Sequence, residues 1–464
     1  MTFIDAEPPG TAERLPRSTE RRELRRIVFA SLVGTALEWY DFFIYGMAAA
    51  LVFGTLFFPG HDPTVSGLAS FATFAVAFLF RPLGGFLFGQ LGDRIGRRST
   101  LVLTTLLMGF ATGGIGLLPT YETVGALAPI LLVLTRVLQG LGAGAEFGGA
   151  SILLAEHAPP GRRGYYASFV QTGVQIGLLT GTVAFLIVGL DRDALLGWAW
   201  RMPFLASFLL VFVSLYVRLR VAESPVFRQM EQRQLVVRRP VRETLRHYRG
   251  NFLIGVGAHI CDTAVVYIYS TFMITYVTQH LHLDRTVALT GTILFSLVVI
   301  ALQPVYGRLA DRVGRRPLNI FSAAFTGLFA FPLFMLIDTG EPVVIWSALI
   351  VATALGFAPT IAVQPAFYAE LFGPGVRYTG FAASREIGAA VSGFSPLIAA
   401  ALLPAAGGGP WLVAGWVMLT ASVSLVAFVL SRETRDVDIR FGGGAHPGFQ
   451  LGTDGARRGA VPAR

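Results

Sequence analysis

Lysine is absent from this chain: all 37 basic residues among its 464 are arginine. Charge of either sign is scarce, with 14% of residues charged against 53% hydrophobic. A soluble protein of this length needs far more charge to cover its surface, so the composition puts the chain in a membrane. A single cysteine, Cys261, falls inside an apolar run, which excludes a disulfide framework and a cysteine-based metal site. No P-loop, metal-ligand cluster or nucleophile elbow is present, and no loop is long enough for an ATPase domain. No cofactor and no enzyme activity are expected, and any uphill transport must draw on an ion gradient. The polar N-terminus lacks the apolar core and cleavage site of a signal peptide and reads as a cytoplasmic tail.

What is present is apolar sequence in long runs. A spanning helix needs about 20 apolar residues. Twelve such runs can be placed, at about 27–57, 67–88, 100–119, 128–155, 165–190, 198–219, 251–279, 287–309, 318–338, 343–371, 379–404 and 411–431. If the N-terminus is inside, 31 of the 37 arginines fall in the tails and the loops on that side, and only Arg192 and Arg285 in the opposite loops. This positive-inside pattern puts both termini in the cytoplasm. It also accounts for the net charge of +9, so no nucleic-acid partner is expected. The expected fold is an all-α membrane protein of twelve transmembrane helices in two six-helix bundles. Residues 1–26 form a cytoplasmic tail, 27–219 the N-terminal bundle and 251–431 the C-terminal bundle. The arginine-rich linker 220–250 is expected to lie as amphipathic helix on the cytoplasmic surface. The Gly-, Ala- and Arg-rich segment 432–464 reads as a disordered cytoplasmic tail.

The two halves repeat. GQLGDRIGRR at 89–98 returns as GRLADRVGRR at 307–316, each a basic turn between two apolar runs. Glu156 and Arg163 return as Glu370 and Arg377. At that second offset Gln171 corresponds to Arg385, an amide against a cation within the membrane. Such internal duplication belongs to secondary transporters.

The GxxxDRxGRR turns, the twelve runs and the central basic linker resemble the major facilitator superfamily over about residues 20–435. GTALEWYDFFIYG (34–46), FLFRPLGGFLFGQLGDRIGRR (78–98), RVLQGLGAGAEFGGA (136–150), WRMPFL (200–205), ESPVF (223–227) and ELFGPGVRYTG (370–380) look like its metabolite:proton symporter family. That family includes shikimate, citrate, 2-oxoglutarate and proline/betaine permeases. QPAFYAELFGPGVRYTG (364–380) is most similar to the shikimate-type branch, from which the Arg385–Glu386 pair departs. The resemblance implies two bundles that rock about a central cavity, proton-driven uptake, and a monomer in the inner membrane of a bacterium. It also implies that the carboxylate of the repeated turn holds a cytoplasmic gate shut against the opposite bundle.

Charges inside apolar spans cost several kcal/mol unless paired or hydrated, so they are the sharpest functional signal. Glu38 and Asp41 share one face of the first span with Tyr45. They lie roughly 15–20 Å deep, where a desolvated carboxyl exchanges protons near neutral pH. Asp262 lies at similar depth in the seventh span, and these three carboxylates are the candidates for proton coupling. Arg81 is read as a structural tie to Asp41 or Glu38, whereas Arg136 and Arg385 are candidates to hold a substrate carboxylate through paired hydrogen bonds. Gln139, Gln171, Gln175, Gln364, Tyr45 and Tyr267 are candidates to orient that ligand, with interhelical packing the competing role for each. Gly140, Gly144 and Gly148, and likewise Gly173, Gly177 and Gly181, read as packing stripes. Glu146 is expected to meet a loop arginine, and His259 to stand alone as a cavity or packing residue. The gating motif is Gly89, Asp93, Arg94, Gly96, Arg97 and Arg98 with its repeat Gly307, Asp311, Arg312, Arg315 and Arg316, whose arginines also meet lipid phosphates. Glu156 with Arg163, and Glu370 with Arg377, are expected gate ion pairs.

The leading functional expectation is proton-coupled import of a small organic acid. Uptake of a zwitterionic osmolyte such as proline or betaine is the alternative, with Trp39, Tyr40 and Tyr267 around the cationic end. A membrane sensor that transports nothing is the alternative from a different class.

Overall fold

The computed structural model describes residues 17–60, 62–95, 97–144, 147–218, 240–373 and 375–439. Among the described residues ten helices are long and apolar enough to cross a membrane, a bent pair makes an eleventh, and a shorter apolar helix is the twelfth. In lipid every backbone N–H and C=O must be satisfied within the protein, which for these runs means helix. The first half comprises α1 (Leu24–Phe57), α2 (Pro63–Ile95), α3 (Arg97–Ile115), α4 (Leu127–Ala143 continued by Phe147–His157), α5 (Arg163–Val188) and α6 (Arg192–Ala199 and Arg201–Arg218, bent by 49°). The second half comprises α7 (Arg249–His280), α8 (Arg285–Val313), α9 (Arg315–Ile337), α10 (Pro342–Leu371), α11 (Arg377–Ala405) and α12 (Trp411–Leu430). The start of α1, the end of α12 and both repeated turns fall on one face of the bundle, called here the tail face.

The duplication seen in the sequence is a duplication of packing. In the first half α1 packs on α5, α2 on α4 and α3 on α6; in the second, α7 packs on α11, α8 on α10 and α9 on α12. The halves then meet along two seams, α5 on α8 and α2 on α11. The innermost helices include α1 and α7, each with 72% of its apolar window buried against 44% for α2 and α8.

Glycine sets how closely several pairs approach. A methyl on Gly140 would lie 2.3 Å from the Ala77 carbonyl oxygen, and one on Gly144 2.0 Å from that of Arg81, so α4 rests backbone to backbone on α2. On α5, Gly173 and Gly177 bring the helix equally close to the Leu32 and Ala36 carbonyls of α1. Gly148 belongs to a different contact: its neighbours are Tyr378, Phe381 and Ala382 of α11, at ordinary van der Waals distance.

Two boundaries differ from the sequence expectation. The first helix begins at Arg17, inside the segment taken as a tail. Residues 432–439 are not loose, because Val437 and Ile439 pack in one buried cluster with Ala155 and Ala369. The rest of the C-terminal tail and linker residues 219–239 lie outside the described residues; the linker ends in a short helix, Pro240–His247.

Gly177→Leu should lower the apparent melting temperature in detergent by the several degrees that an overpacking cost of about 1–3 kcal/mol produces. Gly415→Ala, whose added methyl meets nothing within 4 Å, should leave it unchanged. Equal melting of the two variants would contradict the close α1–α5 approach.

Candidate functional site

The seam between the halves is closed at three depths. At the tail face the second copy of the repeated turn meets the opposite half. Asp311, at the end of α8, accepts hydrogen bonds from the Gly164 and Tyr165 N–H groups at 2.8 and 2.9 Å. These are orphan donors at the start of α5, where a carboxylate also opposes the positive end of the helix dipole. Gly307 and Gly164 allow the approach: a methyl on either would lie 2.6 Å from the other's carbonyl oxygen.

Beside this cap the two expected ion pairs form crosswise. Arg163 of the first half meets Glu370 of the second at 2.6 Å, and Arg377 of the second meets Glu156 of the first at 2.6 Å. The sequence repeat identified the four residues and paired them within each half. In three dimensions each arginine opens its helix at the seam and faces the glutamate that closes a helix of the other half. Glu370 is a hub, also bonded by Arg315 at 3.0 Å and by the Thr434 hydroxyl at 2.6 Å. Arg315 in turn holds Asp311 at 3.0 Å.

The segment 432–439 lies across this cluster. Its carbonyls accept from both seam arginines, Val437 from Arg163 at 3.1 Å and Ile439 from Arg377 at 2.8 Å. Glu433 caps α9 by accepting from the Arg315 and Arg316 N–H groups, and Arg435 donates to the Arg312 carbonyl. Of the first copy of the turn, Gly96 lies outside the described residues, as does Glu146. So do the side chains of Asp93, Arg94, Arg97 and Arg98 and the surroundings of Gly89.

On the opposite face Arg285, at the start of α8, donates to the Gly189 carbonyl that ends α5. Helix α5 is thus held by α8 at both ends, carboxylate at its positive pole and guanidinium at its negative pole.

At mid-depth lies the charged centre. Arg81 of α2 donates to Glu386 of α11 through Nε at 2.5 Å and Nη2 at 3.0 Å, and Arg385 adds a third bond at 3.1 Å. This corrects the expectation that Arg81 ties α2 to Asp41 or Glu38. Gly84 and Gly85 let α2 rest on the α4 backbone, and the Arg81 fork reaches the other half. The Trp39 ring stands 5.6 Å from the guanidinium carbons of both Arg81 and Arg385. Tyr267 of α7 fills the seam between Phe43, Phe74 and Phe78, at ring separations of 5.0–5.8 Å, and its buried hydroxyl has no hydrogen-bond partner among the described residues.

Arg136 is buried in the first half, its guanidinium 3.8 Å from the centre of the Tyr45 ring. It donates to the Phe74 carbonyl at 2.8 Å and to the Gln139 side chain. Among the described residues no carboxylate lies within ion-pair distance of it. Gln139 spends its amide on Arg136 and on Thr112, and Tyr45 donates to Thr73 at 2.7 Å. Both therefore hold Arg136 in place. Gln175 and Gln364 are fully buried with no partner for either amide atom among the described residues, while Gln171 is buried on α5.

Two of the candidate proton carriers lie in electrostatic range of these cations, Glu38 of Arg81 and Asp262 of Arg385. Asp41 accepts from the Ser207 hydroxyl of α6 at 2.6 Å, and with Glu38 it lines a cavity of about 20 Å³ between α1, α3 and α6. Asp262 lines a cavity of about 10 Å³ between α7, α9, α10 and α12. Each space is about the size of one water. His259 is not alone, since its Nδ1 lies 2.9 Å from Asp262 Oδ2 and its Nε2 3.0 Å from the Thr263 hydroxyl. Glu386, noted in the sequence only as part of a departure from the shikimate-type branch, and the buried Gln303 of α8, whose amide has no hydrogen-bond partner among the described residues, were not among the candidate site residues. Both are polar residues within apolar runs, which is the signal that selected Arg385.

Comparison with known proteins fits this architecture. The family model described as Major Facilitator Superfamily matches residues 31–394 and again 256–453. The shikimate transporter of Escherichia coli (strain K12) is 38% identical over 439 residues, covering 94% of this chain and 99% of its own. The glycine betaine/proline/ectoine/pipecolic acid transporter of Dickeya dadantii (strain 3937) is 34% identical over 428 residues, covering 90% and 85%. Among solved structures, the xylose transporter from E. coli in a partially occluded inward-open conformation superposes with a TM-score of 0.68 at 20% identity, covering 89% and 99%.

Glu370→Gln should cost about 3 kcal/mol, because it leaves Arg315 and Arg163 short of a buried partner; thermal unfolding in detergent checks this. Gly307→Ala should part α5 from α8 at the tail face. In a Cys261→Ser background it should speed thiol labelling of Ser168→Cys, which is otherwise fully buried. Unchanged labelling would mean that the glycine contact does not set the closure.

Proposed function

The chain belongs to the major facilitator superfamily, in its metabolite:proton symporter family, and is a transporter rather than an enzyme; from this premise we propose that it imports a small organic carboxylate together with protons. The observation that carries the cargo class is Arg136. A guanidinium enclosed at mid-depth without a carboxylate partner is costly, and a substrate carboxylate supplies the missing charge. Arg385 offers a second cation at the seam. Gln171, Gln175, Gln364 and the free hydroxyl of Tyr267 supply hydrogen bonds that orient the ligand once the bundles part. Gln139 and Tyr45 position Arg136.

Asp41, Glu38 and Asp262 are the proton carriers in this proposal. Each lines a cavity with room for about one water, and such a cavity offers a proton a route to a buried carboxyl. Transport follows alternating access: the tail-face cluster around Glu370 and Asp311 opens while the Arg285 contact stays shut, and the reverse. The arginine distribution supports a tail face in the cytoplasm of a bacterium, with the protein acting as a monomer. The shikimate transporter among its relatives supports an acid cargo. A second proposal, a zwitterionic osmolyte, is favoured by the betaine/proline relatives and by the aromatic wall of Trp39, Phe43, Phe74, Phe78 and Tyr267.

Purified protein in liposomes with an imposed inward proton gradient should accumulate one or more members of a panel of mono-, di- and hydroxycarboxylates, and not proline or betaine. Asp41→Asn should abolish accumulation against a gradient, and Arg136→Gln should raise KM for the acid at least tenfold. Accumulation of betaine alone would select the second proposal. Acid uptake indifferent to the pH gradient would exclude symport.

A further inference from the structure

Glu386 is bonded as a bound carboxylate ligand would be. Its two oxygens accept three N–H groups from two guanidiniums, Arg81 of the first half and Arg385 of the second. The Arg81 contact is a fork, the geometry by which arginine recognises carboxylates in general. Trp39 lies equally close to both guanidiniums. Tyr267 is in electrostatic range of Arg81, Arg385 and Glu386 and keeps a fully buried hydroxyl with no partner. We propose that Glu386 occupies, in the closed protein, the subsite that Arg81 and Arg385 offer to the carboxylate of the transported anion.

Because the two arginines come from opposite halves, parting the seam breaks the Arg81 fork. Arg81 would then stand unpaired, and Glu386 would keep only Arg385, in a low-dielectric site unless another group replaces the lost partner. A substrate carboxylate replaces Glu386 on the guanidiniums, and a proton neutralises the displaced Glu386. The charge balance closes: two guanidiniums with one ionised Glu386 carry the same net charge as two guanidiniums with one substrate carboxylate and a protonated Glu386. One proton therefore enters with each carboxylate.

Other ionisable groups face this site. Glu38 of α1 is in range of Arg81, and Tyr368 of α10 in range of Arg385 and Glu386. His259 and Asp262 of α7 are in range of Arg385 but are paired with each other at 2.9 Å. Among these groups the described structure bonds Glu386 across the seam to Arg81. The inference rests on the carboxylate-cargo proposal, and its test separates the two.

The probe is acetate, added to purified protein in nanodiscs while thermal unfolding is followed. Acetate should raise the melting temperature of Glu386→Ala and leave the wild type unchanged at neutral pH, and Arg81→Gln combined with Glu386→Ala should abolish the rescue. Equal stabilisation of wild type and Glu386→Ala, or no rescue of a folded Glu386→Ala, would overturn the proposal. Should Glu386→Ala not fold, Glu386→Gln decides. Binding of a carboxylate from the transported panel should tighten about tenfold for each pH unit of acidification in the wild type. In Glu386→Gln it should be tight and independent of pH. Retained pH dependence in Glu386→Gln would overturn the role of Glu386 while leaving carboxylate cargo intact. Acetate rescue without carboxylate uptake would overturn the cargo proposal and leave the self-occupied anion subsite standing.

Discussion

Pairing of buried charge across the seam between the halves is the constraint on which this molecule depends. Within a bilayer a lone guanidinium or carboxylate has nowhere cheap to go, so every charge brought to the seam needs a partner there. The partners come from the opposite half at each depth: Asp311 on the start of α5, Arg163 on Glu370, Arg377 on Glu156, Arg81 on Glu386, and Arg285 on the end of α5. Because the contacts lie in layers, one face can part while another stays shut. Opening then costs only the partners of that layer, and whatever replaces them becomes part of the transport cycle.

Duplication and departure from it divide the labour. The tail-face cluster is built from repeated residues, and its crosswise pairing is what a pseudo-twofold relation between two equal halves produces. Asp41 and Asp262 follow the same logic, each facing into its own half beside a cavity the size of a water. The centre breaks the pattern. Where α5 carries Gln171, α11 carries Arg385, and Glu386 beside it faces a cation from α2. The crosswise ion pairs are symmetric between the halves and the charged centre is not.

Much of the fold was legible in the sequence. The twelve apolar runs became twelve helices, and the twin turns marked the duplication, because run length and basic flanks are direct consequences of bilayer thickness and topology. The candidate site was legible as a list of residues and much less so as a geometry. Glu156 and Arg163 lie seven residues apart and look like local partners; only the meeting of the halves shows that each belongs to the other's counterpart. Helices such as α1 and α7 are enclosed on most sides, so no amphipathic stripe records which way Asp41 or Asp262 faces. Arg81 was assigned to the first-span carboxylates Asp41 or Glu38 because nothing local signals a partner 305 positions away. Glu386 was noted only as part of a departure from the shikimate-type branch, and the fork from α2 is a property of packing alone.

The most direct measurement of the central claim is proton entry driven by substrate alone. Liposomes holding the protein and a trapped pH dye, with no gradient imposed, receive the transported carboxylate outside, and protein-free liposomes correct for passive permeation of the acid. Coupled replacement of charged partners at the seam predicts saturable acidification of the lumen in step with carboxylate uptake. Saturable carboxylate uptake with no accompanying acidification would contradict it.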